Sequence, residues 1–134
     1  MEEILFRGQT RRKGEKCRLD GTPVDGNWVY GGVLQGTGDH SIIYQTEPDI
    51  EKKVVYTDTL GMFTGIVDKN DVKMFEGDLV EYNGKIYTIV YRPKYARFFA
   101  VRPNASFCVS ALSYGVVIGN IYDNPELVGT TGVR

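Results

Sequence analysis

"MFEGDLVEYNGKIYTIVY", residues 74–91, is the stretch whose reading decides the fold. Two β-prone runs flank Asn83-Gly84, a pair that tolerates positive φ at both central positions of a two-residue type I′ turn. A hairpin closed there has one register: Tyr82 faces Lys85, Glu81 faces Ile86, Val80 faces Tyr87 and Leu79 faces Thr88. Strand alternation then puts Val80, Tyr82, Tyr87, Ile89 and Tyr91 on one face. Leu79, Ile86 and Val90 fall on the other, beside Glu81 and Thr88. An isolated hairpin is marginal in water, so both apolar faces require cover. One belongs inside a small barrel, the other against the N-terminal half or another subunit.

Downstream, "RFFAVR" (97–102) and "SFCVSAL" (106–112) alternate in the required way, and "GVVIGNIY" (115–122) is able to close the roll, Gly119 permitting a bend or bulge. Four or five short strands curled together are the SH3-like way to remove exposed edges. Upstream and throughout, the 16 glycines and turn sequences such as "DG", "NG" and "RPN" recur at short intervals, which favours many short strands over helices. Strands are predicted at 28–34, 41–45, 53–57, 78–82, 85–91, 97–102, 107–112 and 116–121. "TEPDIEKK" (46–53) also admits a short helical turn, with Thr46 as cap and Pro48 just inside. "FTGIVDKNDVKMFEGD" (63–78) reads as a surface connection in which Asp68 and Asn70 bond nearby amides. The predicted class is therefore mainly β with little helix: a smaller β-rich N-terminal part over 1–65, then an SH3-like small barrel over 66–134.

A chain of 134 residues has room for one domain or two very small ones. Sixteen Lys and Arg against seventeen Asp and Glu leave no global positive field, so any nucleic-acid role needs a local patch. No apolar run approaches the roughly 18 residues of a membrane span, and the N-terminus carries acids where a signal peptide needs bases. The expectation is a cytoplasmic chain without a membrane partner. Cys17 and Cys108 lack CxxC spacing and read as reduced thiols, a bridge requiring a geometry that sequence does not specify. His40 is the one histidine, which argues against zinc.

Four motifs in fixed order carry a family resemblance: "FRG" (6–8), "WVYG" (28–31), "TGIVDKNDVKMFEGDLVEYNGKIYTIVY" (64–91) and "VIGNIYDNPELV" (117–128). Together they resemble the YopX family of phage and prophage proteins, with its "TG(L)xDKNGxxIxEGDIV" segment followed by "VIGNIYxNPELL". Asp71 stands where that pattern has Gly. The resemblance spans about residues 5–128. It implies a C-terminal SH3-type barrel and a phage or prophage origin, and it brings no defined biochemical role.

The candidate chemistry falls in three places. Glu76 and Asp78 flank Gly77 and share a strand face, as an acid–base pair or a hard-cation site would require; alternatively Asp78 satisfies turn amides and Glu76 is solvated. "RGQTRRKGEKCR" (7–18) gathers Arg7, Arg11, Arg12, Lys13, Lys16 and Arg18 against Glu15, an arm suited to phosphates or a solvated hairpin tip. "YRPKYARFF" (91–99) interleaves Arg92, Lys94 and Arg97 with Tyr91, Tyr95, Phe98 and Phe99. That is how small barrels grip single-stranded nucleic acid, and also how a hairpin loop anchors itself. Trp28 and Tyr30 alternate on one strand as core or interface residues. "GTGDHS" (36–41) lacks the Lys-Ser/Thr pair and following helix of a phosphate loop, and His40 reads as a loop residue. No nucleophile motif is present.

The reading is a non-catalytic phage accessory protein without metal or cofactor. It binds a host or phage protein and forms a homo-oligomer. The alternative is nucleic-acid binding through Arg11, Arg12, Lys13, Arg92, Lys94, Tyr95 and Arg97.

Overall fold

The computed structural model describes residues 4–10, 28–34, 38–45 and 50–127. The chain divides into two compact units, Met1–Met62 and Phe63–Arg134. The class is mainly β, and every strand pairing among the described residues is antiparallel.

In the first unit, β1 (Phe6–Gln9), β2 (Trp28–Leu34), β3 (His40–Gln45), β4 (Glu51–Tyr56) and the start of β5 (Gly61–Val67) lie in the order β4-β3-β2-β1-β5. Strand β1 escaped the sequence reading because "FRGQ" has no apolar alternation. Arg7 is nevertheless buried between β2 and β5, and Gln9 between β2 and Thr59. Ile43 and Val55 are the buried apolar residues of β3 and β4. Around them polar groups are satisfied locally: the Gln9 amide donates to Thr59 Oγ1 at 2.8 Å, and that hydroxyl donates to the Tyr56 carbonyl at 2.7 Å. The helical turn admitted at 46–53 is not formed by Glu51, Lys52 and Lys53, which are strand residues; residues 46–49 lie outside the described residues. Among the described strands β4 is a sheet edge, and its exposed Glu51 and Lys52 are the charges that discourage further pairing there.

In the second unit, residues 63–78 are not the surface connection expected. β6 (Lys73–Phe75) pairs with β5 through Phe63↔Phe75 and Val67↔Lys73, with a shift of register between them. That irregularity, and a strand of three residues, hid the pairing from a period-2 pattern. The burial of Phe63, Met74 and Phe75 is what holds it.

The five-stranded sheet that follows comprises β7 (Asp78–Tyr82), β8 (Lys85–Arg92), β9 (Arg97–Arg102), β10 (Ala105–Cys108) and β11 (Val116–Asn120), in the order β10-β9-β8-β7-β11. The β7–β8 register is the predicted one, and Asn83 and Gly84 take φ of 52° and 77°, the two positive values of a type I′ turn. Leu79 and Val80, which point to opposite faces, are both at 0% exposure, so both faces of the hairpin are covered. The strand expected at 107–112 ends at Cys108, and Val109–Leu112 form a 3-10 turn that buries Val109 and Leu112.

A meander of four strands, a 3-10 turn and a last strand returned beside the first is the SH3-like order. The sheet is open, however. β11 pairs with β7 and bulges between Val117 and Gly119, while β10 turns into the 3-10 segment, so "GVVIGNIY" does not close a barrel.

Candidate functional site

Two regions of the second unit concentrate polar and charged side chains. The first surrounds the β5–β6 turn and the start of β7. Asp68, 3% exposed, accepts the amides of Asn70 (2.7 Å) and Val72 (2.9 Å) on Oδ1 and that of Val117 (2.9 Å) on Oδ2. Burial pushes its carboxyl upward, but the amides of Val117, Val72 and Asn70 and the charge of Lys69 outweigh this and hold it below the usual aspartate value. Asp78, 2% exposed, accepts the Phe75 amide at 2.7 Å. Of the sequence's acid pair, then, Asp78 is committed to a turn amide, as one of its two readings required.

Gly77, at φ 92°, lies against the ring of Tyr122, which a Cβ would meet at 3.1 Å. Its backbone receives the Ile121 amide and donates to the Ile89 carbonyl, both at 2.9 Å. Beyond β11, Asn120 Oδ1 accepts the amides of Tyr122 and Asp123, and Asn124 Oδ1 accepts that of Asn120. These side chains serve to hold the backbone.

The second region lies on β8, β9 and β10. The β8–β9 turn, residues 93–96, is closed by Tyr95 N–H to the Arg92 carbonyl at 3.0 Å and Ala96 N–H to that of Pro93 at 3.1 Å. Strand pairing sets Arg92 opposite Arg97. The Arg92 guanidinium lies over Phe99, 4.8 Å from the ring centroid, and its Nη1 donates to Ser106 Oγ at 3.2 Å. Tyr95 packs edge-on against the same Phe99, with centroids 5.7 Å apart, and Lys94 Nζ stands 5.7 Å from the Tyr95 ring. Arg97 Nη1 donates to the Cys108 thiol at 3.6 Å. Among the described residues no carboxylate forms an ion pair with Arg92, Lys94 or Arg97.

The structure thus gathers Arg92, Lys94, Tyr95 and Arg97 on one turn and its flanking strands. Arg11, Arg12 and Lys13 lie outside the described residues, as do Lys16, Cys17, Arg18 and the Gly36-Thr37 start of "GTGDHS". Arg7 does not belong to a solvated arm: it is buried in β1, 4.4 Å from the Trp28 ring. His40 opens β3 rather than sitting in a loop, 5.7 Å from the Tyr56 ring. Tyr30 is 40% exposed. Cys108 is free and exposed.

The sequence reading missed Arg102 and Ser106. They join Arg92 around an open depression of about 560 Å³, with Val101 and the turn residues 103–105. Two signals were available. Arg-Pro ends both β8 and β9, at 92–93 and 102–103. Between Glu81 and Asp123 there is no acidic residue at all, while Lys85, Arg92, Lys94, Arg97 and Arg102 fall in that run; the rest of the chain holds seventeen acids against eleven cations.

A family model described as YopX protein matches residues 26–129. The chain belongs to the YopX family. Among curated proteins nothing matches. The fold is similar to the crystal structure of protein EF1440 from Enterococcus faecalis, with a TM-score of 0.53, 22% identity, and coverage of 96% of this chain and 99% of that one. The YopX motif residues Asp68, Gly77, Asp78, Gly119, Asn120 and Asn124 all fall in the first region. The basic and aromatic residues of the second region stand outside the family pattern.

Proposed function

We propose that this YopX chain is a non-catalytic binding module of a phage or prophage, working in the cytoplasm of the bacterial host and covering its aromatic surface with another macromolecule and with copies of itself. The observation that carries the reading is aromatic exposure: Tyr91 (40%), Tyr95 (54%), Phe107 (43%) and Tyr114 (79%) all face solvent in one small unit. Exposed aromatics next to arginine are the composition of interface hot spots. The open edge of β10, "ASFC", carries no charge that would discourage pairing, which supports self-association. The commitment of Asp78 to the Phe75 amide supports a non-catalytic role.

The test is capture of tagged protein from induced host cells with and without nuclease, together with light scattering over a concentration series. A nuclease-resistant protein partner and a species heavier than one chain are expected. A strict monomer at high concentration removes self-association, and failure to retain any partner removes the module.

A second reading, nucleic-acid binding, is favoured by one specific observation: the acid-free run from residue 82 to 122 places Arg92 over the half-buried Phe99 ring and Lys94 beside the exposed Tyr95 ring without carboxylates to neutralise them. It predicts nuclease-sensitive capture and affinity that falls steeply with salt.

A further inference from the structure

The depression bounded by Arg92, Val101, Arg102, Ser106 and the β9–β10 turn lies outside the four family motifs. It is an open depression of about 560 Å³, and its lining includes Arg92 and Arg102 and no carboxylate. Two like charges around one concavity repel each other unless an anion lies between them. Arg102 also holds a buried Nε–H with no hydrogen-bond partner, while its guanidinium carbon stands 5.9 Å from the Tyr87 ring. Guanidinium forks, a hydroxyl and a concave turn together suit a phosphate, whose several oxygens accept from planar donors.

Arg92 connects this depression to the exposed ring of Tyr95, since it lines the first and lies over Phe99, against which Tyr95 packs. An unpaired base next to a phosphate held here has an aromatic face to stack on; a base inside a duplex does not offer its own.

We infer that the depression is a phosphodiester subsite for single-stranded nucleic acid, with Arg92, Arg102 and Ser106 taking the phosphate and Tyr95 a neighbouring base. The inference rests on the nucleic-acid reading above. It gives a role to residues that the arm and turn of that reading do not include.

Fluorescence anisotropy of the full chain with labelled mixed-sequence single-stranded DNA, single-stranded RNA and duplex DNA, from about 50 to about 200 mM salt, tests it. Inorganic phosphate serves as competitor. Single strands are expected to bind more tightly than duplex, with phosphate competing weakly. The R92Q/R102Q double variant should bind at least about tenfold more weakly, with a salt slope shallower by ~0.7 for each phosphate no longer neutralised. Y95A should bind about five- to a hundredfold more weakly with its slope unchanged.

Since Arg102 also packs near Tyr87, R92Q alone, which leaves that pair intact, decides the matter should the double variant melt early; binding weaker by about threefold or more is expected from it. Single strands binding the arginine variants as they bind the parent overturns the subsite and leaves the nucleic-acid reading standing. Binding to duplex as tight as to single strands overturns the assigned strand preference. No binding to any oligonucleotide overturns both, and the nuclease-resistant capture above then decides the binding module by itself.

Discussion

The two polar regions of the C-terminal unit are built on opposite rules. Around Asp68, Asp78 and Asn120, side-chain oxygens meet backbone amides, and the groups are buried or nearly so. Around Arg92, Lys94 and Arg97, cations meet ring faces, a hydroxyl and a thiol, at half-buried or exposed positions. A buried carboxylate with fixed donors cannot turn to a ligand without leaving those donors unpaired. A cation resting on a ring keeps most of its potential in reserve for an incoming anion. Legible family motifs and available chemistry therefore occupy different places, and substitution should separate them: stability lost without binding in the first region, binding lost without stability in the second.

The largest expected effect is that of Asp68→Ala, which removes an acceptor serving three amides, one of them on β11. A loss of about 3 kcal/mol is expected, since bonds to charged groups count for more than neutral ones and the amides left behind are partly buried. Urea denaturation measures it, and a cost below about 1 kcal/mol would put the buried network on the same footing as the surface.

The same carboxylate should give the region an acid limit. Its folded value lies below the ordinary 3.8, so its contribution is complete above that value and is lost as pH falls through the depressed one. The stability difference between the parent and Asp68→Asn should accordingly be constant near neutral pH and shrink below about pH 4. A difference independent of pH down to the acid transition would show that the Asp68 charge does not matter.

Gly119→Ala should cost less, about 1–2 kcal/mol, because a Cβ there collides with the Asn124 carboxamide and dislodges the oxygen that holds the Asn120 amide. In the other region Arg97→Gln should change stability by no more than about 0.5 kcal/mol, the side chain being exposed and its hydrogen bond to the thiol long. Equal losses from these two substitutions would erase the contrast.

What the sequence made legible follows the same division. The β7–β8 hairpin could be read to the residue because Asn83-Gly84 dictates a local geometry and the flanking strands alternate cleanly. Strand β1 could not, since nothing within four residues tells Arg7 that strands will flank it on both sides, or Gln9 that it will lie between Trp28 and the Thr59 hydroxyl. The β5–β6 pairing was masked by its bulge around Gly65 and by a turn rich in loop formers. Arg92, Lys94, Tyr95 and Arg97 could be grouped because they share one turn. Arg102 and Ser106 could not, since the registers set Ser106 level with Val101 and Thr88, and only the folded sheet brings Arg92, four residues further along β8, to its hydroxyl across β9. The missing acids between residues 82 and 122 were visible all along, but charge counted over the whole chain averages them away.

The smallest expected effect concerns Asp71, which stands where the family pattern has Gly. It holds φ at 64° in the β5–β6 turn, with its amide donating to the Asp68 carbonyl at 3.0 Å. Left-handed backbone costs an ordinary L-residue about 1–2 kcal/mol, less for aspartate, whose short side chain tolerates it. Asp71→Gly removes that strain in the folded chain, yet it also frees the unfolded chain, which opposes the gain by about 0.4–1 kcal/mol. The two nearly cancel, so a change of only a few tenths of a kcal/mol is expected, in either direction. A gain well above 1 kcal/mol would mean that the turn carries strain that the three amides on Asp68 are holding in place, and the Asp68→Ala loss should then shrink when measured in the Asp71→Gly background.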